Sequence, residues 1–423
     1  ANITRYIAWL SETRGLEFTS YYALWDWSVS DLDAFWASIW DFFGIKEHNP
    51  YKQVLSERVM PGAQWFPGAQ LNYTERVCSR NDEHTAIEFR NEGGDSRTLS
   101  YQELNHQVAS VAAGLRRLGV MQGDRVAAYM PNIPEAVVAF LATASIGAVW
   151  SSCSPDFGAR NVIDRFQQIE PTVLITVDGY RYNGNVFDCK EASSEIQRNL
   201  PSLKAIVLVP YLNTKRAPEE LTHTTKWDQL LGENAPMTFT PVPFDHPLWV
   251  LYSSGTTGVP KAIVQSHGGI LVEHLKAISL HLNLTDEDRF FWFTTTGWMM
   301  WNFLVGGLLH GMTIVLYDGS PVYPDMNAMW RLVEDAGVTY FGTSAPFISA
   351  CMKAGIEPGR DCDLSTLRGI GSTASPLPPE GFGWVYQHVK SDLLLGSTSG
   401  GTDICTSLAI SCPILPVHAG ELQ

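Results

Sequence analysis

The spacing of apolar residues changes along the chain from a helical repeat to short unbroken runs. Near the N-terminus, apolar residues at i, i+3, i+4, i+7, i+8 and i+11 predict an amphipathic helix with Ser30 as N-cap and Gly44 as its end. These residues are Leu32, Phe35, Trp36, Ile39, Trp40 and Phe43. Because an apolar stripe needs a partner, we expect this helix to dock on a larger body. It belongs to a helical N-terminal extension and cap over residues 1–84.

Helices and strands alternate from about residue 85 onward. Ser100 and Glu103 have the S-x-x-E spacing of a capping box, which predicts a helix that ends at Gly119. Apolar runs at 125–130, 148–152 and 172–177 are typical of strands. Alternating strands and helices predict parallel βαβ units, and strands without polar alternation predict a sheet covered on both faces. We assign residues 85–240 to a first α/β lobe.

A proline-rich connection at 236–247 leads to a second stretch of the same kind, with predicted strands at 248–252, 290–294, 312–317, 338–341, 367–371 and 393–395. The predicted fold class is α/β, with two doubly wound lobes and a smaller β-rich part, and the second lobe covers residues 241–423. Ligands of such sheets bind beyond the carboxyl ends of the strands. We therefore expect the chemistry in the loops that follow them.

Composition narrows the classes of function. Of 423 residues, 45% are hydrophobic and the formal net charge is −15, which excludes disorder and disfavours nucleic acid as a partner. Seven scattered cysteines without a C-x-x-C pair indicate neither a disulfide framework nor a zinc site, and favour a reducing, cytoplasmic location. Charged residues interrupt the first apolar run, so we expect no secretory leader. The uncharged run at 290–309 predicts a strand, a turn and a buried helix in place of a membrane span. The oligomeric state stays open.

The densest cluster of candidate chemistry lies at 252–261. Glycines let backbone N–H groups approach a ligand, hydroxyls add donors and a lysine adds positive charge, so this segment is typical of an oligophosphate cradle. The expected contacts are Ser253, Ser254, Gly255, Thr256, Thr257, Gly258 and Lys261. The G-x-x-G-x-x-K spacing differs from that of a Walker A motif. An ordinary hairpin turn is the alternative, since the same residue types favour turns.

This segment is similar to the phosphate loop of the adenylate-forming superfamily, which includes acyl-CoA synthetases, luciferases and nonribosomal adenylation domains. The resemblance extends over nearly the whole chain. The motifs at 65–66 and 71–73 resemble the N-terminal region of the acetyl-CoA synthetase branch. The segment at 296–302 resembles the one that lines the acyl pocket, and 396–403 resembles one that ends in Thr-Glu in most members. The resemblance implies an enzyme that activates a carboxylic acid with ATP and transfers it to CoA.

The resemblance also implies a role for each matched residue. Lys261, Thr402 and Asp403 are expected to act in catalysis, with Lys261 on the leaving phosphates and Asp403 as the anchor of Mg²⁺. Asp403 stands where most members have Glu, and its alternative is a charge at a helix N-terminus. Arg181 is expected to contact the 3′-phosphate of CoA, with an exposed surface arginine as the alternative.

The nucleotide is expected to contact Ala374, Ser375, Pro376, Ser397 and Thr398, with 374–376 as the adenine loop or, alternatively, a plain turn. Trp298, Met299 and Met300 are expected to form one wall of the acyl pocket, opposite Gly400 and Gly401.

Members of the family that use acetate are expected to carry Trp at the position of Gly400. The glycine therefore predicts room for a four-carbon acid, and the motifs imply acetoacetate as the substrate beside ATP and CoA. A structural glycine at a helix start is the alternative for Gly400. Propionate or butyrate are alternative acids, and a non-catalytic nucleotide-binding module is an alternative function.

In this family a ribose-binding aspartate, a hinge and a catalytic lysine follow the matched segments. None of them is found among the residues up to 423. We therefore expect the chain to correspond to the large N-terminal region, with the small C-terminal domain absent.

Overall fold

Two predominantly parallel sheets with helices on their faces form the frame of the molecule. The computed structural model describes residues 1–212, 221–232, 234–253 and 258–423. Its helices are α1 (Asn2–Arg14), α2 (Tyr21–Ser30), α3 (Leu32–Phe42), α4 (Tyr73–Val77), α5 (Tyr101–Arg117), α6 (Pro134–Ser145), α7 (Ala159–Phe166), α8 (Lys190–Asn199), α9 (Trp227–Leu231), α10 (His267–Lys276), α11 (Met299–Val305), α12 (Ala328–Asp335), α13 (Ala345–Ala354), α14 (Pro358–Asp361) and α15 (Pro379–Trp384). A π-helical turn follows α10 (Ala277–His281) and another follows α15 (Val385–Val389), and a 3₁₀ turn follows α11 (Gly306–His310).

The strands of the described residues fall into two large sheets and three small antiparallel pairs. They are β1 (Gln70–Leu71), β2 (Thr85–Asn91), β3 (Ser96–Ser100), β4 (Arg125–Tyr129), β5 (Val149–Cys153), β6 (Val173–Val177), β7 (Gly179–Tyr182), β8 (Asn185–Asp188), β9 (Ala205–Val209), β10 (Thr224–Lys226), β11 (Val242–Pro243), β12 (Pro247–Ser253), β13 (Lys261–Ser266), β14 (Arg289–Trp292), β15 (Thr313–Asp318), β16 (Tyr340–Ser344), β17 (Gly369–Thr373), β18 (Leu394–Ser397), β19 (Ser399–Gly401) and β20 (Thr406–Ala409). The first sheet has the order β10-β9-β6-β4-β5-β12-β13, and the second has the order β18-β17-β16-β14-β15-β2-β3. Among these described strands, only the edge strands β13 and β3 run antiparallel within the two large sheets. The predicted α/β class is confirmed.

The two sheets exchange strands. β12 and β13, which we expected in the second lobe, join the first sheet beside β5. β2 and β3 join the second sheet beside β15. The sheets therefore do not divide the chain at residue 240, and one apolar cluster runs through both, with Val126 of the first sheet and Phe290 of the second.

Local signals in the sequence are reproduced in detail. The Ser100–Glu103 capping box is present at the start of α5, with both reciprocal hydrogen bonds. The central strands β5, β6, β9 and β15 are buried along their whole length, as expected of sheets covered on both faces. The N-cap of α3 is Asp31, whose carboxylate accepts from the Ala34 N–H at 3.0 Å, and not Ser30. The run at 290–309 contains β14, a turn and the buried α11.

The N-terminal extension docks on the second half of the chain. The side-chain amide of Asn2 donates to the backbone oxygens of Ser279 and Leu284 at 3.1 and 2.9 Å. Apolar residues of α1, α2 and α3 form a cluster with Leu280 and Cys412. Among the described residues, no helix has both the length and the apolar composition that crossing a bilayer requires.

A buried acidic residue links the two sheets at their carboxyl edges. Asp318, at the end of β15, accepts a hydrogen bond from the Tyr211 hydroxyl at 2.8 Å, and Tyr211 follows β9 of the other sheet. The Asn91 amide donates to the Tyr211 oxygen at 3.1 Å. Burial raises the pKa of Asp318 to about 7, and the nearby carboxylates Glu92 and Asp156 contribute to this rise. The Tyr211 hydrogen bond opposes the rise in the pKa.

We predict that this carboxyl makes the free energy of unfolding fall as the pH rises. The folded chain keeps the proton of Asp318 up to a pKa of about 7, whereas the unfolded chain releases it near the ordinary pKa of 3.8. The stabilisation is therefore complete below about pH 4 and is lost between about pH 4 and 7, with a magnitude on the order of a few kcal/mol. Asp318→Asn should abolish this slope in urea unfolding and should raise stability at pH 8. The control is Asp26→Asn on an exposed face of α2. An unchanged slope in Asp318→Asn would contradict the prediction.

Candidate functional site

A cavity of about 360 Å³ lies between α11, the loop after β17 and the β19–β20 hairpin. The structure brings many of the expected site residues to its wall: Trp298, Met299, Met300, Ala374, Ser375, Pro376, Thr398, Gly400, Gly401 and Thr402. Sequence reasoning missed a second group of lining residues: Leu282, Trp292, Phe303, Thr373, Ser399, Thr406, Ser407, Ile410 and Leu422. Trp292 and Thr373 end strands, so the rule that ligands bind beyond strand ends could have identified them had the strand ends been placed correctly.

The turn before α11 is fixed by the first sheet. The Thr296 hydroxyl donates to the Met130 carbonyl at 2.6 Å, and the Ser152 hydroxyl donates to the Thr296 carbonyl at 2.7 Å. A Cβ on Gly297 would stand 2.8 Å from the Phe157 ring, so a larger residue there would displace the ring. The expected acyl wall is therefore held on one side by β4 and β5.

The loop after β17 is held by the strand end beside it. The Thr373 hydroxyl donates to the Thr398 carbonyl at 3.1 Å, and the Thr398 N–H donates to the Ser372 carbonyl at 2.8 Å. Ala374 has a φ of 73°, a left-handed conformation that costs an L-residue about 1–2 kcal/mol relative to glycine. Ser397 lies behind this loop, where its hydroxyl accepts from the Leu377 N–H at 3.4 Å, and it does not line the cavity.

The floor of the cavity depends on one tryptophan. The Trp292 ring lies across Gly342 of β16 and Gly371 of β17. A Cβ on Gly342 would overlap with the ring, and one on Gly371 would stand 2.7 Å from its edge. The absence of side chains at these two glycines therefore leaves room for the indole, which lines the cavity together with the adenine-loop candidate.

Thr402 and Asp403 lie in the turn of the β19–β20 hairpin. The alternative interpretations of these two positions are therefore wrong, since Asp403 is not at a helix N-terminus and Gly400 is not at a helix start. Asp403 is exposed and does not line the cavity, whereas Thr402 does. The Gln265 amide of β13 donates to the carbonyls of Thr402 and Asp403 at 2.7 and 3.2 Å.

The space that a side chain at position 400 would occupy is filled by the protein itself. Gly400 lines the cavity, but its Cβ position points into the paired strand β20, where it would overlap with the Thr406 carbonyl oxygen and stand 2.8 Å from the Ser407 Cα. The antiparallel pairing of β19 with β20 causes this close approach. At Gly401, no atom of the described residues lies within 4 Å of the Cβ position. The open volume is therefore beside Gly401.

The phosphate-loop candidates are placed only in part. Ser254, Gly255, Thr256 and Thr257 lie outside the described residues. Ser253 and Lys261 face each other in the register of β12 and β13, and Lys261 is exposed. Gly258 has no described atom within 4 Å of its Cβ position. None of these three lines the cavity.

An unexpected cation lies next to this loop. The Arg165 guanidinium of α7 stands 4.9 Å from the centre of the Phe157 ring and 5.9 Å from that of Tyr252, the residue before Ser253. It donates to the Asn161 carbonyl, and no carboxylate lies within ion-pair distance of it in the part of the chain that the structure describes. A single arginine within a helix carries no sequence signal, so it was missed.

Arg181 lies apart from the cavity. It is exposed on β7, in the β7–β8 hairpin, beside Gly93. Its expected contact with CoA stays a prediction.

The donor set for a metal is small. Within residues 1–212, 221–232, 234–253 and 258–423, no group of three or more His, Cys, Asp or Glu side chains is arranged to hold an ion. Mg²⁺ at nucleotide sites is commonly held by one or two carboxylates together with the phosphates and water. The single carboxylate of Asp403 fits that mode and does not fit a resident metal centre.

The buried histidine after the phosphate loop has a structural environment. Burial lowers the pKa of His267 to about 3, so its ring is neutral at physiological pH. Its Nδ1 accepts from the Tyr73 N–H at 3.2 Å. This contact ties α10 to α4.

Two family models match the chain. The family described as AMP-binding enzyme matches residues 74–418, and the one described as acetyl-coenzyme A synthetase N-terminus matches residues 21–77. The chain is 45% identical to an acetoacetyl-coenzyme A synthetase of Rhizobium meliloti, over 100% of this chain and 65% of that protein. It is 37% identical to a malonamoyl-CoA synthetase of Penicillium aethiopicum, over 97% of this chain and 61% of that protein.

A solved structure is also similar. The acetoacetyl-CoA synthetase from Streptomyces lividans matches with a TM-score of 0.96 and 54% identity, over 100% of this chain and 66% of that one. The chain therefore spans about 65% of the length of the two acetoacetyl-CoA synthetases.

We predict that an alanine substitution destabilises the fold at Gly400 but not at the neighbouring Gly401. Gly400→Ala should lower the free energy of unfolding by about 1–3 kcal/mol, because its Cβ meets backbone that has to move. Gly401→Ala is the matched control and should change it by less than about 0.5 kcal/mol, as for most open surface positions. Urea unfolding of both variants measures the difference. Equal values for the two would contradict this account of the hairpin.

Proposed function

The chain belongs to the AMP-binding enzyme family, and from this premise we propose that it carries the ATP and acid sites of an acetoacetate–CoA ligase. The reaction activates acetoacetate as acetoacetyl-AMP with release of pyrophosphate, and then transfers the acyl group to CoA. ATP use follows from the family, whereas the acid, CoA and Mg²⁺ are part of the proposal. The observation that carries it is the cavity that joins the expected acyl wall, the adenine-loop candidate and Thr402.

The first step needs stabilisation of negative charge. The carboxylate oxygen of the acid bonds to the α-phosphorus while the bond to pyrophosphate breaks, so charge grows on the leaving β- and γ-phosphates. Lys261 would hold these phosphates, and Arg165 adds a second cation beside the same loop. When bound, Mg²⁺ would neutralise phosphate charge with Asp403 as its protein ligand.

The acid site favours a short, mainly apolar chain. Met299 and Met300 are about nine-tenths buried, and methionine adapts its shape to a ligand. Trp292, Trp298 and Phe303 complete an aromatic wall. No described atom lies within 4 Å of the Cβ position of Gly401, and we infer that an acyl chain longer than acetate extends on this side. A four-carbon acid suits these features better than acetate does.

Malonamate is the second candidate acid. It has the shape of acetoacetate with an amino group in place of the terminal methyl, and one relative is a malonamoyl-CoA synthetase. The apolar wall favours the methyl, because a buried amide without partners loses its hydrogen bonds to water. Propionate and butyrate are further candidate acids, and a non-catalytic nucleotide-binding module is the candidate from a different class of function.

A series of adenylate mimics tests the acid without requiring turnover. We expect the 423-residue chain to bind the N-acylsulfamoyl adenosine with the acetoacetyl group most tightly in calorimetry. The butyryl compound should bind about tenfold more weakly if the keto oxygen accepts one hydrogen bond, and the acetyl compound should lose about 1–3 kcal/mol per missing carbon. Tighter binding of the malonamoyl compound would select that acid. Binding of ATP without any preference among acyl groups would favour the nucleotide-binding module.

We predict that Lys261 binds the β- and γ-phosphates of ATP and not the α-phosphate. We expect Lys261→Ala to weaken ATP binding by about 1.5–3 kcal/mol, the value of a hydrogen bond to a charged group, and to leave AMP binding unchanged. Lys353→Ala, at an exposed lysine of α13, is the control. An equal loss of AMP affinity would remove Lys261 from the contacts with the leaving phosphates.

A further inference from the structure

A buried glutamine joins the phosphate-loop strand to the Thr402–Asp403 turn. Gln265 lies on β13 and is 8% exposed. Its Nε2 donates to the Thr402 carbonyl at 2.7 Å and to the Asp403 carbonyl at 3.2 Å. Its Oε1 accepts from the Trp249 indole N–H of β12 at 2.8 Å. Both ends of the amide are therefore occupied, and the orientation of the amide is fixed.

The contacts of Gln265 connect β12 and β13 to the turn of the β19–β20 hairpin. Trp249 precedes the phosphate loop and Gln265 follows it, on two strands whose register sets Ser253 opposite Lys261. Lys261 and Gln265 are four residues apart on β13, so their side chains leave the same face of the strand. The turn that carries Asp403 is thus attached to the face of the strand that carries Lys261.

The turn is closed by one internal hydrogen bond, which the Cys405 N–H donates to the Gly401 carbonyl at 3.0 Å. Further along, the Thr406 hydroxyl donates to Glu273 of α10 at 2.9 Å, and this bond holds the strand after the turn. Gln265 is the side chain that reaches the carbonyls of Thr402 and Asp403 themselves. It therefore fixes the part of the turn from which the Asp403 carboxylate extends.

We propose that Gln265 is a positioning residue that sets Asp403 relative to Lys261, so that the metal-bearing carboxylate and the lysine meet the same phosphates. Gln265 does not line the cavity and acts through the backbone of the turn. The inference deepens the proposed function and rests on it. It assigns a role in the site to a residue of β13 that lies outside the matched motifs.

The first arm of the test needs no ligand. Gln265→Leu keeps the approximate volume and removes the amide, and Gln265→Glu keeps an acceptor for Trp249 but cannot donate to the two carbonyls. We expect amide hydrogen exchange at 401–405 to be faster in both variants, with exchange in β17 unchanged. Wild-type exchange at 401–405 in both variants would overturn the proposal, whatever the chain binds.

The second arm measures ATP and AMP binding by calorimetry with and without Mg²⁺. In the wild type, Mg²⁺ should tighten ATP binding. In both Gln265 variants the factor by which Mg²⁺ tightens ATP binding should be about tenfold smaller, which is the effect of one hydrogen bond. AMP affinity should stay within about twofold, a change of less than one weak hydrogen bond. Glu273→Ala is the matched control, because it loosens the hairpin beyond the turn and should keep the Mg²⁺ effect.

Two results overturn the proposal in this arm. One is an equal fall of AMP and ATP affinity in the Gln265 variants, which is the mark of a purely structural role. The other is an unchanged Mg²⁺ effect. Failure of the wild-type chain to bind ATP at all would instead refute the proposed function, and the exchange experiment would then decide the role of Gln265 alone.

Discussion

The register of the β12–β13 hairpin fixes most of the candidate site. Because Ser253 lies opposite Lys261, the two ends of the segment between them are fixed at the edge of the first sheet. The same register brings Trp249 beside Gln265, and the glutamine then reaches the β19–β20 turn. A slip by one residue would reverse the faces of β13 and separate Lys261 from the turn. The phosphate and metal candidates therefore depend on one antiparallel pair at the end of a parallel sheet.

Sequence predicted what is encoded locally and missed what depends on distant partners. The capping box of α5 and the strand, turn and helix at 290–309 follow from neighbouring residues, and both are present. The segments at 298–300 and 374–376 line one cavity, and motifs with local spacing had indicated both segments. The exchange of β2–β3 and β12–β13 between sheets was not predicted, since periodicity gives the type of an element and not its neighbour. Gln265 was missed for the same reason, because one isolated glutamine has no pattern.

A glycine on a pocket wall can have either of two structural causes, and Gly400 and Gly401 show one each. A glycine on a pocket wall suggests empty space for a ligand, but at Gly400 the missing side chain accommodates the backbone of β20. At Gly401 the space is open among the described residues. The distinction depends on which way the Cβ points from the hairpin, and at Gly400 the pairing of β19 with β20 is irregular. The sequence prediction used only the small size of glycine. It lacked the direction in which the Cα–Cβ bond would point.

Because β2 pairs with a strand from the second half of the chain, it has to wait for that partner during synthesis on the ribosome. β2 is made early, but its parallel partner β15 is not complete until Asp318 has been made. At about 5–20 residues per second, the roughly 230 intervening residues take about 10–45 s. During that time the hairpin of β2 and β3 has an open edge that can pair with other nascent chains. The exposed Arg97 places a charge on the outer strand β3, whereas the side of β2 that pairs with β15 stays open until β15 has been made.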